Sequence, residues 1–184
     1  ADIHLMCTYG FLSTDESKVF AAKEQKYLIK SIYEWDYYNV TGTQNLIEAC
    51  NAAGVDQVVY ASTSCTMAGN ELPWKEDEKC GYQLNPYGYT KFTNEAQFMS
   101  SSITRTVGLR FFTVYGPWGR PDMALFDFTK NIVAGEPIKL FNHGDMIRDF
   151  TYVDDIVQGI KIVLDDTQKR NDAKYDTIFN IGYG

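Results

Sequence analysis

Tyr87 and Lys91 stand one helical turn apart, shortly after the hydroxyl run Ser62, Thr63 and Ser64, and such a pair can move a proton at neutral pH. A free phenol titrates near ~10 and is a poor base unless its anion is stabilised. A lysine four residues on shares the same helix face, where its ammonium favours the phenolate. A hydroxyl arriving from a neighbouring strand end can then hold the substrate's oxygen. The chain has 13 tyrosines, so one Tyr/Lys pair at this spacing is expected by chance, and its meaning depends on the elements that carry it.

Those elements follow from the alternation of apolar runs with amphipathic stretches, the pattern of a parallel sheet covered by helices. Strands are expected over residues 2–6, 57–62, 106–111, 138–141 and 177–181. A long helix over residues 30–53 lines one face with Ile32, Leu46, Ile47, Ala49, Cys50 and Ala53 and closes at Gly54. A second, over residues 86–101, begins at Pro86 and carries Tyr87, Lys91, Glu95 and Phe98. A third starts at Pro121 and stops at Gly135. The last begins at Asp154 or Asp155, where a carboxylate can cap free N–H groups. In this frame the hydroxyl run ends a buried strand and the Tyr/Lys pair opens the next helix. The segments 67–84 and 112–120 follow strand carboxyl ends, where open α/β sheets bind ligands.

Composition narrows the function classes. With 184 residues, 45% of them hydrophobic, the chain can bury one core, or one core plus a small lobe. A net charge of −7 without a basic stripe disfavours nucleic acid and anionic membrane surfaces as partners, and leaves room for an anionic small molecule where a few cations converge. No apolar run approaches the ~20 residues that span a bilayer, and no signal-peptide pattern is present. Cys7, Cys50, Cys65 and Cys80 lie far apart without a CxxC, so no metal site or disulfide framework is expected and reduced thiols in a cytoplasmic protein are the simple reading. The sequon Asn39-Val40-Thr41 falls inside a helical pattern, where it is a coincidence of spacing. There are no repeats or low-complexity tracts. The chain opens at Ala1 without an initiator Met on a strand-like ADIHLM and ends on FNIGYG, so both ends read as cut, and a lost targeting segment stays open.

The order Thr63, Tyr87, Lys91 resembles that of the extended short-chain dehydrogenase/reductases, the nucleotide-sugar epimerases and dehydratases. Two longer segments, GLRFFTVYGPWGRPDMALF at 108–126 and NHGDMIRDFTYVDDI at 142–156, are similar to those of UDP-glucuronate 4-epimerases. The resemblance runs from about Trp35 onward, whereas residues 11–33 match poorly. It implies an α/β fold, a partial Rossmann-like doubly wound parallel sheet with part of a smaller α/β substrate-binding lobe. Residues 1–112 would be the C-terminal portion of the NAD-binding Rossmann domain, and residues 113–184 substrate-binding lobe segments interleaved with its last elements.

The same resemblance implies roles. Tyr87 is the base, Thr63 orients the sugar oxygen with Ser64 as the fallback, and Lys91 lowers the tyrosine pKa and binds the nicotinamide ribose. Leu5, Met6, Ala61 and Ser62 border the NAD, Asn39 braces the site from the long helix or is an ordinary polar residue, and Thr113, Tyr115 and Pro117 line nicotinamide and sugar. Arg148 clamps the UDP diphosphate as a planar fork, or pairs with Asp149 or Asp154. Arg120 meets the substrate carboxylate or pairs with Asp122. Relatives form homodimers by packing the helices at 30–53 and 86–101 into a four-helix bundle.

Departures matter as well. Dehydratases follow the catalytic Thr with Asp-Glu, and decarboxylases keep the Glu; Ser64 and Cys65 stand there, which disfavours both reactions. Met67-Ala68-Gly69 replaces a common Tyr-Gly and puts the contacts of that loop in doubt, while Met6 and Cys7 replace two alanines and can crowd the cofactor edge. No glycine-rich turn able to cradle a pyrophosphate occurs anywhere. The expectation is therefore a fragment of a UDP-glucuronate 4-epimerase that uses NAD. The alternatives are another UDP-sugar 4-epimerase, or an inactive remnant that only binds a nucleotide sugar.

Overall fold

A computed structural model of the chain describes residues 4–6 and 33–183. Its centre is a parallel sheet of four strands, β1 (His4–Met6), β2 (Gln57–Thr63), β3 (Arg105–Phe111) and β6 (Tyr175–Ile181), in the order β1-β2-β3-β6. The register sets Leu5 beside Val59, Val59 beside Val107, and Val107 beside Thr177. Every residue of β2 is buried, as a strand covered on both faces requires, and this explains why its sequence reads as one run instead of alternating.

Alternate residues of β2 still point to opposite layers. Val58 and Tyr60 pack with Ile47 and Cys50 of α1 (Gly42–Ala53) and Phe98 of α2 (Pro86–Ser100). Val59 faces the other way, joining Val107 and Leu109 of β3 against Ile160, Val163 and Leu164 of α4 (Val153–Lys169). Helices on both faces of a parallel sheet make this a doubly wound α/β architecture. No helix among the described residues is long and apolar enough to cross a membrane.

Helix ends follow local chemistry. α1 stops at Gly54, whose φ of 69° is left-handed, a conformation that costs glycine nothing. α2 has Pro at its first position, and the Asn85 side chain accepts from the Gly88 N–H at 2.7 Å.

Several expectations are corrected. Residues 138–141 form no strand; residues 136–140 are irregular and exposed, and a 3-10 turn (Phe141–Gly144) follows with Asn142 and His143 at positive φ. Pro137 lacks an N–H, and among the described residues no strand pairs with this exposed run. Two short strands were not foreseen, β4 (Thr113–Tyr115) and β5 (Phe150–Tyr152), which pair in parallel; three residues are too few to show a period of two. α3 (Ala124–Ala134) begins after Pro121, because residues 121–122 lie in a turn closed by the Met123 N–H on the Arg120 carbonyl. α4 starts at Val153, one residue before Asp154 and Asp155, and these place their charges in its first turn. Ala49 and Ala53 are exposed; Thr43, Ile47 and Cys50 form the buried stripe. Ahead of α1 the long helix widens into a π-helical turn (Asp36–Thr41). Residues 30–32 of that helix, including Ile32, and residues 2–3 of the first strand lie outside the described residues, as does Cys7.

Candidate functional site

The carboxyl end of β2 delivers Ala61, Ser62 and Thr63 into a 3-10 turn (Ser64–Met67). Thr63 is buried and caps that turn, its hydroxyl oxygen accepting from the Cys65 N–H at 3.3 Å. Its own carbonyl accepts from the Thr66 hydroxyl at 2.9 Å. Ser64 is half-buried beside it. The Thr63 side chain is thus held by backbone at a fixed place on the sheet's ligand-binding edge.

α2 presents the other two groups. Lys91 is only 1% exposed, and its ammonium donates to the Ala61 carbonyl at 3.2 Å. A buried ammonium needs such partners to remain charged. Tyr87, one turn earlier, is half-buried with its ring centroid 5.1 Å from that of Trp35.

Asn39 braces this assembly. It is fully buried in the π-helical turn, and its amide donates to the Thr90 hydroxyl at 2.9 Å. Thr90 in turn donates to the Tyr87 carbonyl at 3.0 Å. The Asn39 and Val40 carbonyls accept from Asn94 at 2.9 Å and Gln97 at 3.0 Å. A π turn carries an extra residue, so carbonyls leave the regular ladder and can serve another helix; such turns recur at functional sites. The Asn39 side-chain oxygen has no partner among the described residues.

The remaining candidates lie on neighbouring elements. Leu5 and Met6 pair with Val59 and Tyr60 through backbone, which sets them beside β2. Thr63 aligns with Phe111 at the end of β3, and Thr113 and Tyr115 follow on β4. Thr113 donates its N–H to the Asp149 carbonyl at 3.2 Å, and the Tyr115 and Tyr152 rings meet at 5.4 Å. Arg148, next to Asp149, is exposed just ahead of β5. Arg120 is exposed on the loop beyond β4 and forks onto Asp122, with Nε to Oδ1 at 3.0 Å and a second contact from Nη2 to Oδ2. That fork holds the Asp122 carboxyl below its usual range.

One part of the neighbourhood escaped the sequence reading. Arg110, within β3, and Glu95, on α2, form a buried ion pair behind the hydroxyl run. A charged residue inside an otherwise apolar strand was the available signal, since burial of an arginine requires a partner.

The match to known proteins agrees with this arrangement. The family described as "NAD dependent epimerase/dehydratase family" matches residues 14–182, which takes in most of the stretch ahead of Tyr33. UDP-glucuronate 4-epimerase 1 of Arabidopsis thaliana is 40% identical over 179 residues, covering 85% of this chain and 40% of that protein. UDP-glucuronate 4-epimerase of Thermodesulfobacterium geofontis is 46% identical over 132 residues, covering 68% of this chain and 40% of that one. The crystal structure of UDP-glucuronic acid 4-epimerase from Bacillus cereus in complex with NAD superposes with a TM-score of 0.72 at 32% identity, over 83% of this chain and 49% of that one. The chain spans less than half the length of the curated relatives it matches. The parallel sheet, the hydroxyl run at the end of β2 and the Tyr/Lys helix beside it agree with the sequence match: the chain belongs to the NAD dependent epimerase/dehydratase family.

Proposed function

We propose that the whole protein carrying this chain is a UDP-sugar 4-epimerase that interconverts UDP-glucuronate and UDP-galacturonate. The observation that carries this reading is the convergence of Thr63, Tyr87 and Lys91 at the carboxyl end of β2, each held by the backbone or helix described above. Likeness to UDP-glucuronate 4-epimerases over most of the chain supports the uronate as substrate.

In this reading Tyr87 takes the proton from the sugar's O4 and later returns it, while Lys91 lowers the cost of the phenolate. Thr63 orients O4. Arg148 offers the diphosphate a planar, permanently charged fork, and Arg120 turns from Asp122 toward the substrate carboxylate. NAD, when bound, would supply the hydride acceptor and donor at C4, so the sugar leaves without net redox change and the tightly bound NAD is recycled. This chain's residues fit one end of that cofactor: the buried Lys91 ammonium and the Asn39 oxygen, which has no partner among the described residues, suit ribose and nicotinamide, and Ala61, Ser62, Leu5, Met6 and Tyr115 are the proposed neighbours. The pyrophosphate end needs a glycine-rich turn, and the sequence of this chain has none.

The test is Tyr87→Phe in the whole protein, assayed with UDP-glucuronate and, separately, with UDP-glucose. The expected result is loss of turnover by at least ~10² with NAD still bound, and a wild type that prefers the uronate. Undiminished turnover by Tyr87→Phe removes Tyr87 as the base, and preference for the neutral sugar reassigns the substrate.

For these 184 residues alone, the missing turn favours a second reading: nucleotide-sugar binding through Arg148 without turnover. Calorimetry decides it. Micromolar affinity of the isolated chain for NAD would show that the turn is dispensable.

A further inference from the structure

Glu95 and Arg110 form an ion pair whose side chains are 4% and 3% exposed, and the proton transfer proposed above makes no use of it. The pairing is bidentate, with Arg110 Nε donating to Oε1 at 2.9 Å and Nη2 to Oε2 at 2.8 Å. Oε1 also accepts from the Ser62 hydroxyl at 2.5 Å. The guanidinium's remaining contacts are to sulfur, Met67 Sδ at 3.0 Å and Cys80 Sγ at 3.1 Å. Among the described residues, the other titratable groups against the pair are Tyr60 from β2 and Cys80 from the loop, with Asp176 of β6 acting on Tyr60. Burial first, and the Glu95 charge second, push the Tyr60 hydroxyl and the Cys80 thiol upward, so both stay neutral at physiological pH.

Net stability is weak grounds for keeping this pair. A buried ion pair is often replaceable by apolar residues of the same volume without loss. Its position is more telling. Glu95 follows Lys91 by one turn on the same face of α2, and both are buried. Their partners are consecutive residues of β2: Lys91 donates to the Ala61 carbonyl, and Glu95 accepts from Ser62. A glutamate four residues from a lysine is a ready partner for it. Were Lys91 to take Glu95, its charge would be neutralised there, and the Tyr87 phenol one turn earlier would lose the cation that favours its anion.

We propose that Arg110 is a positioning residue that occupies both oxygens of Glu95, and so keeps the Lys91 ammonium on the Ala61 carbonyl, where the proposed mechanism uses it to favour the Tyr87 phenolate. The inference rests on reading Tyr87 as the base. Arg110 suits the task because its fork satisfies two carboxylate oxygens at once, which a lysine in its place cannot do.

The experiment is a pH titration of the whole protein labelled at the tyrosine ζ carbon, followed by NMR, with the Tyr87 signal assigned by its loss in Tyr87→Phe. In Arg110→Gln the Tyr87 pKa is expected to rise by roughly 1–2 units. The rising limb of kcat/KM against pH moves with it, which lowers turnover at neutral pH roughly 10–100-fold. Arg110→Lys gives a smaller shift in the same direction, and decides the matter if Arg110→Gln does not fold. The double variant Arg110→Gln with Glu95→Gln removes the competing carboxylate and brings Tyr87 back toward its wild-type titration. An unchanged Tyr87 pKa in the single variants, or a raised one that persists in the double variant, overturns the proposal. Undiminished turnover by Tyr87→Phe sinks the assignment of the base and leaves the titration result standing.

Discussion

The Asn39 amide and the Thr90 hydroxyl meet at 2.9 Å across 51 residues of chain, in a site closed to solvent. The contact ties the π-helical turn to α2 midway between Tyr87 and Asn94. Because Thr90 also donates to the Tyr87 carbonyl, the relay runs from one helix to the backbone of the other. Asn39→Leu leaves the Thr90 oxygen without its donor in a buried place. We expect a loss of about 1–3 kcal/mol in unfolding free energy. Thr90→Val removes the same contact from the other side, so a double-mutant cycle by denaturant unfolding should show the two losses to be non-additive. Additive losses would mean that the residues act separately.

Gly108 permits the close approach of β3 to Tyr60. A Cβ at this position would lie 2.7 Å from both Tyr60 Cζ and Oη. The ring cannot swing away, because it is stacked on Phe98 with centroids 4.1 Å apart and planes at 16°. Gly108→Ala should therefore destabilise the protein by about 1–3 kcal/mol through overpacking. Thermal unfolding of Gly108→Ala alone and combined with Tyr60→Phe checks this, and the combination should recover part of the loss because one of the two contacts is gone.

How far the sequence disclosed this structure differs between parts. β2 and the middle of β3 are buried on both faces, so their apolar runs stand out, and Gly54 and Pro86 mark helix ends by their own geometry. The Tyr87–Lys91 spacing and the strand-end hydroxyls were readable for the same reason: helix and strand periods fix which residues share a place. The pair β4 and β5 was not readable, because its two strands are distant in sequence and three residues long, and pairing between such segments leaves no periodic mark. The π-helical turn was hidden too, since an extra residue per turn is dictated by Asn94 and Gln97 on another helix rather than by local propensity. The Glu95–Arg110 pair combines both cases: each residue was visible, but only the fold shows that they meet.

Tyr60 gives a pH dependence with a definite sign. Burial and the Glu95 carboxylate raise its pKa far above the ordinary phenol, and its hydroxyl has no partner among the described residues. A group whose folded pKa is raised contributes stability that is fully present below its unfolded pKa of ~10 and is lost as pH rises above it. Unfolding then releases a phenol that ionises at once. Each pH unit beyond ~10 should remove up to about 1.4 kcal/mol through this residue. Tyr60→Phe lacks the group, so its unfolding free energy should fall less steeply above pH ~10 than the wild type's. At neutral pH it should be at least as stable, since an unpaired buried hydroxyl costs about 1–3 kcal/mol. Parallel alkaline slopes for the two proteins would show that Tyr60 ionises in the folded state.

The outer faces of the long helices bear on assembly. On α2, Tyr89, Phe92 and Met99 are 56%, 40% and 52% exposed, spaced to form one stripe on the side away from the sheet. Tyr37 and Tyr38, in the π-helical turn that packs beside α2, add 65% and 59% exposed rings. Apolar surface of this kind is usually covered in the working protein. The proposed cover is the same pair of helices from a second copy, in a self-complementary two-fold contact where one substitution acts twice. Phe92→Glu places a charge on each side of that contact without touching the buried face that holds Lys91 and Glu95. In the whole protein it should convert dimer to monomer in sedimentation velocity while far-UV circular dichroism stays unchanged. A wild type that sediments as a monomer at every concentration, or a Phe92→Glu variant that stays dimeric, places the interface elsewhere.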